Sequence, residues 1–314
     1  MKKSTDNIYS SRRKFIKQSS ALIGGTVLVQ SLAGNAFAKV FKNEKIKVNG
    51  HLWVYASKYP PDWDCTPNLE TVFSDMSSAG IDGVELMDNI LRHDDAVARL
   101  NQLIKKYNFP VSGTSYGVGI NMSDLNQHKK ILDDVQTIVP RLQQVNGKTF
   151  GISVGDAKHV KTESELDAQA DLLKQILVIC NDHGVQANLH NHTYEVENNM
   201  HDLKGTLARI PGIKLGPDLN WLVRAGINPV DFINTYGKQM VYMHIRDQYA
   251  DGKWTEYVGE GVTDFPAIAK ALKAQNFKGS AAIELAFESG FQPVNPLKED
   301  WKKSREYVKK VFEC

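Results

Sequence analysis

Cysteine is scarce in this sequence: Cys65, Cys180 and Cys314 stand far apart and form no C-x-x-C pair. That excludes a disulfide framework, even in an oxidising compartment. Cys180, within Leu177-Val178-Ile179-Cys180, reads as a small buried apolar residue. An excess of either charge is missing too, since 38 Lys and Arg face 36 Asp and Glu for a net charge of +2. The chain therefore offers no basic footprint for nucleic acid and no polybasic membrane anchor. No G-x-G-x-x-G turn occurs, which argues against a doubly wound dinucleotide fold. With 42% hydrophobic and 24% charged positions among 314 residues, disordered, collagenous and low-complexity classes fall away as well.

What the N-terminus does have is an address. Ser11-Arg12-Arg13-Lys14-Phe15-Ile16-Lys17 precedes a soft apolar stretch from Ala21 to Ala33, which ends in Ala36-Phe37-Ala38. A basic head, a short apolar middle and an A-x-A exit make a signal peptide, and the paired arginines resemble the twin-arginine class. The apolar run is too short and too rich in Gly, Ser and Thr to span a bilayer comfortably. Residues 1–38 are thus expected to be a twin-arginine-type signal peptide, 39–50 a lead-in and 51–314 a single folded domain. The expected location is the periplasm, with no stable membrane insertion after cleavage.

After Ala38, short β-like runs alternate with longer helical ones. The candidate strands are His51–Ser57, Ile81–Met87, Pro110–Tyr116, Thr149–Val154, Val185–Asn191, Ile213–Leu219, Val241–Arg246 and Ser280–Leu285. A helix starting at Thr66-Pro67 places Leu69, Val72, Phe73 and Met76 on one face, with proline at its first position. Glu165 to Asp182 carries Leu166, Ala170, Leu173, Ile176, Leu177 and Cys180 at helical spacing, and Lys298 to Phe312 carries Trp301, Tyr307, Val308 and Val311. Strict alternation of this kind predicts an α/β fold of parallel strands, and eight units in this length predict one (β/α)8 TIM barrel.

Barrel strands are buried on both faces, so an ionisable residue inside one needs a reason. Such residues recur at the C-terminal ends of the candidate strands: Glu85, His190 and His192, Asp218, His244 and Glu284. A TIM barrel builds its active site at that end. The steps 190→218, 218→244 and 244→284 are 28, 26 and 40 residues, each about one βα unit. Two imidazoles and two carboxylates converging from consecutive strands make an N2O2 site for one divalent metal. That donor set suits Mn2+, Co2+, Fe2+ or Zn2+ better than Ca2+ or Mg2+.

At these residues the chain resembles the xylose-isomerase-like TIM-barrel superfamily, which includes sugar isomerases and epimerases, inosose dehydratases and the apurinic endonuclease IV group. The most specific segments are His190-Asn191-His192…Glu195, Asp218-Leu219-Asn220-Trp221…Ala225-Gly226, His244-Ile245-Arg246-Asp247, and Gly259-Glu260-Gly261 before Asp264-Phe265. The resemblance implies His190, Asp218, His244 and Glu284 as ligands, with Mn2+ or Co2+ favoured, and Glu85, Arg246 and Glu260 in the substrate pocket. In the two-base epimerases of this superfamily the fifth strand ends in a glutamate, where this chain has His190. The resemblance is therefore closer to the branch with an H-N-H-x-x-E segment, whose chemistry includes lyases acting on keto-sugars.

A metal at such a mouth stabilises the enediolate formed when the carbon beside a ketone loses its proton. The candidate bases are Glu284, His192 and Glu85. Elimination of a β-oxygen substituent from a 3-keto-sugar or 3-keto-glycoside is the leading expectation. Isomerisation or epimerisation of an unphosphorylated ketose is the alternative, and a non-catalytic sugar-binding barrel is the reading from another class. Arg246 suits a substrate hydroxyl or a ligand carboxylate, while Trp221, Trp53 and Tyr116 offer either a wall against a sugar ring or barrel packing. His51, His93, His128, His159, His183 and His201 share no register and read as structural or solvent-facing. The expected partner is a small sugar, not nucleic acid, and a homo-oligomer stays open.

Overall fold

The computed structural model describes residues 45–314, Val118 excepted; the signal peptide expected over 1–38 lies outside them. Seven parallel strands alternate with helices. In chain order they are β1 (Val48–His51), β2 (Val84–Met87), β3 (Val111–Tyr116), β4 (Thr149–Ile152), β5 (Gln186–Leu189), β6 (Tyr242–Ile245) and β7 (Ser280–Ile283). They hydrogen-bond in the order β5-β4-β3-β2-β1-β7-β6. The segment between β5 and β6 nearly closes the ring through parallel bridges from Leu215 to Leu189 and Met240, and from Asp218 to His244.

That segment was expected to be a full strand, Ile213–Leu219. Pro217 has no N–H to give a ladder, and a helix already begins at Leu219, so only isolated bridges form. Gly216 is required there, because a Cβ would sit 1.9 Å from the Asn188 side-chain oxygen of β5. A second difference lies at the N-terminus. The strand expected over His51–Ser57 instead ends at His51, and Trp53–Ala56 forms a helical turn, α1. The barrel therefore begins at Val48, inside the stretch taken as a lead-in.

The helices behave as their apolar spacing requires. Leu69, Val72, Phe73 and Met76 of α2 (Leu69–Ser78) are all buried. Two more helices follow, α3 (Ala96–Tyr107) and α4 (Leu125–Gln144). On α5 (Glu163–Asp182), Leu166, Ala170, Leu173, Ile176 and Cys180 face inward, and Thr162 with Glu165 forms a capping box that satisfies its first free N–H groups. Then come α6 (Thr193–Arg209), kinked at 197–200, α7 (Leu219–Arg224), α8 (Pro229–Tyr236) and α9 (Phe265–Ala274). The last helix, α10 (Leu297–Phe312), returns to the start of the barrel. Its buried Trp301 donates a hydrogen bond from Nε1 to the Tyr55 hydroxyl (2.9 Å), which donates in turn to Asp75 (3.0 Å).

Gly50 in β1 lets this contact form, since a Cβ there would lie 2.8 Å from the Met76 sulfur and 3.1 Å from the Trp301 ring. Trp301→Ala should therefore lower the unfolding free energy by about 3–5 kcal/mol, through lost burial and the loss of the hydrogen bond that the Tyr55 hydroxyl accepts. Chemical denaturation checks this; an unchanged midpoint would mean that α10 does not hold the barrel together.

Candidate functional site

Because all strands are parallel, their C-terminal ends share one mouth, where a cavity of about 400 Å³ opens. His192, Trp53, Trp221, Arg246, His244 and Glu284 all line it, as does His190. His190, Asp218 and His244 each offer an atom within 4.8 Å of the other two. Three of the four expected metal ligands are thus brought together. Glu284 stands beside them with its carboxylate otherwise engaged: Oε2 accepts from His244 Nδ1 (2.6 Å) and Oε1 from Arg246.

His244 is the hub. Its other ring nitrogen donates to Glu85 Oε2 at 2.8 Å, so carboxylates hold both sides of the imidazole. Burial works against its charge, but Glu85 and Glu284 outweigh that and hold its pKa well above the usual histidine range. Burial would raise the Glu284 pKa; Arg246, His51 and His244 pull it well below the usual range instead. The His190 ring makes no hydrogen bond among the described residues. Burial, reinforced by His244 and His192, keeps it neutral, with its pKa well below the ordinary value.

Asp218 completes the cluster with an imbalance. Its Oδ1 caps α7 by accepting from the N–H groups of Asn220 (2.8 Å) and Trp221 (3.0 Å). Its Oδ2 is buried and without a hydrogen-bond partner. Burial raises the Asp218 pKa despite Arg246, whose guanidinium is 3.8 Å from that oxygen. An orphaned carboxylate oxygen beside a bare, neutral imidazole fits a divalent cation held by His190, Asp218 and His244. His244 joins such a set by giving up one of its carboxylate contacts.

Two sequence expectations need correcting. Glu85 does not line the cavity; it lies behind His244, 1% exposed, and accepts from His244 and from the Tyr242 hydroxyl (3.1 Å). It holds the His244 ring from behind and is not among the residues that line the cavity. Glu260 is also outside the cavity, accepting the Glu256 N–H at 3.1 Å within its own loop. The residue that organises that loop is Asp247, whose carboxylate collects the N–H groups of Gln248, Gly259, Gly261 and Thr263.

The sequence reading also missed residues. His51, taken as structural or solvent-facing, is buried on the cavity wall, with Nε2 2.9 Å from Ser115 Oγ and Nδ1 3.8 Å from Glu284. Burial lowers its pKa, outweighing the pull of Glu284 and Glu85. Trp254 lines the cavity from the Asp247 loop, and the guanidinium groups of Arg224 and Arg246 each approach its ring to 4.6 Å. Tyr194 and Ser153 line the wall beside His192.

Comparison with known proteins gives a consistent picture. Residues 73–311 match the family described as Xylose isomerase-like TIM barrel. An inosose dehydratase of Clostridium beijerinckii is 21% identical over 305 residues, covering 86% of this chain and 98% of that protein. A D-allulose 3-epimerase from Methylomonas sp. superposes with a TM-score of 0.71 at 15% identity, over 85% of this chain and 98% of that one. A 3-keto-D-glucoside 4-epimerase from E. coli gives 0.66 at 16% identity, over 85% and 100%. At such identity these two structures speak for the fold.

The buried, unpartnered Asp218 oxygen yields a stability test. Asp218→Asn keeps a capping oxygen for α7 and removes a charge that burial disfavours. In chelator-treated protein the variant should be more stable than the parent, by on the order of 1 kcal/mol in denaturant unfolding. A less stable variant would mean that attraction to Arg246 outweighs the burial cost.

Proposed function

Because the chain belongs to the Xylose isomerase-like TIM barrel family, we propose that it is an exported keto-sugar enzyme that eliminates a β-oxygen substituent from a 3-keto-sugar or 3-keto-glycoside. The observation that carries this reading is the makeup of the cavity wall. Glu284 is its only carboxylate among the described residues, and it is bound to Arg246 and His244. Epimerisation by two opposed carboxylates needs a second one where the wall carries His190. Elimination needs one base and a leaving oxygen. An inosose dehydratase among the relatives is in keeping with C–O elimination.

The substrate class follows from charge and shape. Arg246 is the only Lys or Arg among the described lining residues, and Glu284 neutralises it, which leaves no free cation for a phosphate group. Trp53, Trp221 and Trp254 supply apolar faces of the kind that stack on a sugar ring. The volume lies within the range of small-molecule sites, about 300–1,000 Å³. A divalent transition ion, Mn2+ or Co2+ by preference, would be held by His190, Asp218 and His244, with Glu284 adjoining. When bound it supplies Lewis acidity toward a ketone and its neighbouring hydroxyl. Glu85 and Glu284 keep the His244 ring aimed into the mouth, and Arg246 is placed to hold a substrate oxygen. The leader pattern over residues 11–38 supports a periplasmic location, where phosphosugars are scarce.

The test is release of nitrophenol from p-nitrophenyl 3-keto-glucoside by the purified protein. Release should require Mn2+ or Co2+, stop with a chelator, and fall about 100-fold in Glu284→Gln, whose amide no longer holds both His244 and Arg246. No release with either metal present would overturn the proposal. Epimerisation of an unphosphorylated ketose, the alternative that the D-allulose 3-epimerase fold match favours, would instead appear as inversion of a ketose centre without release of an aglycone.

A further inference from the structure

The wall beside His192 holds a chain of hydrogen bonds whose direction can be worked out from one end. Glu195 Oε1 accepts from the Val154 N–H (2.8 Å) and from the Ser153 hydroxyl (2.6 Å). The Ser153 proton is thereby used. Ser153 Oγ is also 3.1 Å from the Tyr194 hydroxyl, so in that contact tyrosine donates and serine accepts. The Tyr194 proton is now used as well, and its oxygen lies 2.9 Å from His192 Nδ1. That contact requires a proton on Nδ1. The Glu195 carboxylate, whose Oε2 lies 3.5 Å from the same nitrogen, favours the same arrangement. A neutral imidazole with its proton on Nδ1 carries a lone pair on Nε2. No hydrogen bond engages Nε2 among the described residues, and His192 lines the cavity.

We propose that Glu195, Ser153 and Tyr194 form a relay of positioning residues that fixes the His192 tautomer and makes His192 Nε2 the base that takes the proton from the substrate carbon beside the ketone. This rests on the keto-sugar reading and assigns the base within it. The other candidates are worse placed: both Glu284 oxygens already accept hydrogen bonds, and Glu85 is outside the cavity. In the step, the C–H bond breaks and an N–H bond forms on Nε2, while the electron pair moves onto the carbonyl oxygen as an enolate. When that pair returns, the bond from the β-carbon to its oxygen breaks. The departing oxygen keeps the bonding pair and takes the proton back from Nε2, leaving a C=C bond conjugated to the ketone. While His192 is an imidazolium, the Glu195 carboxylate 3.5 Å from Nδ1 stabilises it.

The tautomer can be read without any substrate. In protein labelled with 15N at histidine and loaded with diamagnetic Zn2+, the His192 signals, assigned by their loss in His192→Gln, should show Nδ1 protonated and Nε2 bare. Ser153→Ala removes the acceptor of the Tyr194 proton but leaves the tyrosine in place. Tyr194 should then donate to Nδ1, and the proton should move to Nε2. Tyr194→Phe should likewise lose the Nδ1-protonated form. A proton on Nε2 in the parent, or a tautomer unchanged in both variants, would overturn the relay. With p-nitrophenyl 3-keto-glucoside, Ser153→Ala should lower kcat about 10–100-fold with KM within twofold, and His192→Gln should lower it by about 100-fold or more. Full activity in His192→Gln would overturn the assignment of the base. A parent protein that shows the expected tautomer yet leaves this glycoside intact would overturn the keto-glycoside reading and not the relay.

Discussion

Burying ionisable groups where strands end is the constraint on which the mouth of this barrel depends. Glu85, Asp218, His244, Arg246 and Glu284 are each at most 7% exposed. None could be left alone there as an ion, because burial of an unpaired charge costs several kcal/mol. They are tolerated as a set. His244 is held between Glu85 and Glu284, and Arg246 lies on Glu284. Three carboxylates formally outnumber the two cations, and the surplus resides on Asp218, whose Oδ2 has no partner. Apart from the Arg246 Nε, which is also buried without a partner, the unmet group in this network is that Asp218 oxygen, at the point where His190 and His244 also present their rings. A cation added there would resolve the imbalance, which is the physical support for a metal at these residues.

The same constraint made part of the site legible in the sequence. Doubly buried strands are apolar, so Asp218, His244 and Glu284 stand out against Ile, Val, Leu and Ala neighbours, and their spacing matches the βα repeat. His51 escaped because its strand, Val48-Asn49-Gly50-His51, has no apolar run, whereas Trp53-Val54-Tyr55-Ala56 looks extended and forms a helical turn. Assigning the strand a few residues too late put His51 at its beginning instead of its functional end. Glu260 failed for a different reason. Its flanking glycines suggested a loop free to swing inward, yet the N–H groups of Gly259 and Gly261 are both fastened to Asp247. Hydrogen bonding across a dozen residues of loop leaves no periodic trace in a sequence.

The H-N-H-x-x-E segment compresses several tasks into six residues. Past the end of β5 the chain turns into α6, with His190 directed at the His244 ring (4.6 Å between centroids) and His192 acting as the N-cap residue. Glu195 Oε2 accepts the His192 backbone N–H (2.5 Å), and its Oε1 binds Ser153 and Val154 beyond β4. The glutamate thus ties two neighbouring strand ends together before it has any bearing on chemistry. Tyr194 lies nearly parallel to the His192 ring, 17° between planes, which holds the imidazole against rotation. A helix cap therefore sets the orientation of a side chain in the cavity.

Next to this wall, where Trp221 lies 5.7 Å from the His192 ring, Asp247 does comparable work for aromatic contacts. It follows Arg246 directly, so the arginine enters the cavity while the next carboxylate gathers four loop N–H groups. That loop carries Trp254, whose indole N–H donates to Asn220 beside Trp221 (2.9 Å) and whose ring is approached by Arg246. Trp221 and Trp254 meet edge to face at 5.6 Å. The cavity wall thus interleaves indole rings with imidazoles, and Glu284 tethers Arg246 among them. For the neutral sugar proposed as substrate, stacking on these indoles together with hydrogen bonds to the imidazoles would set which carbon faces His192.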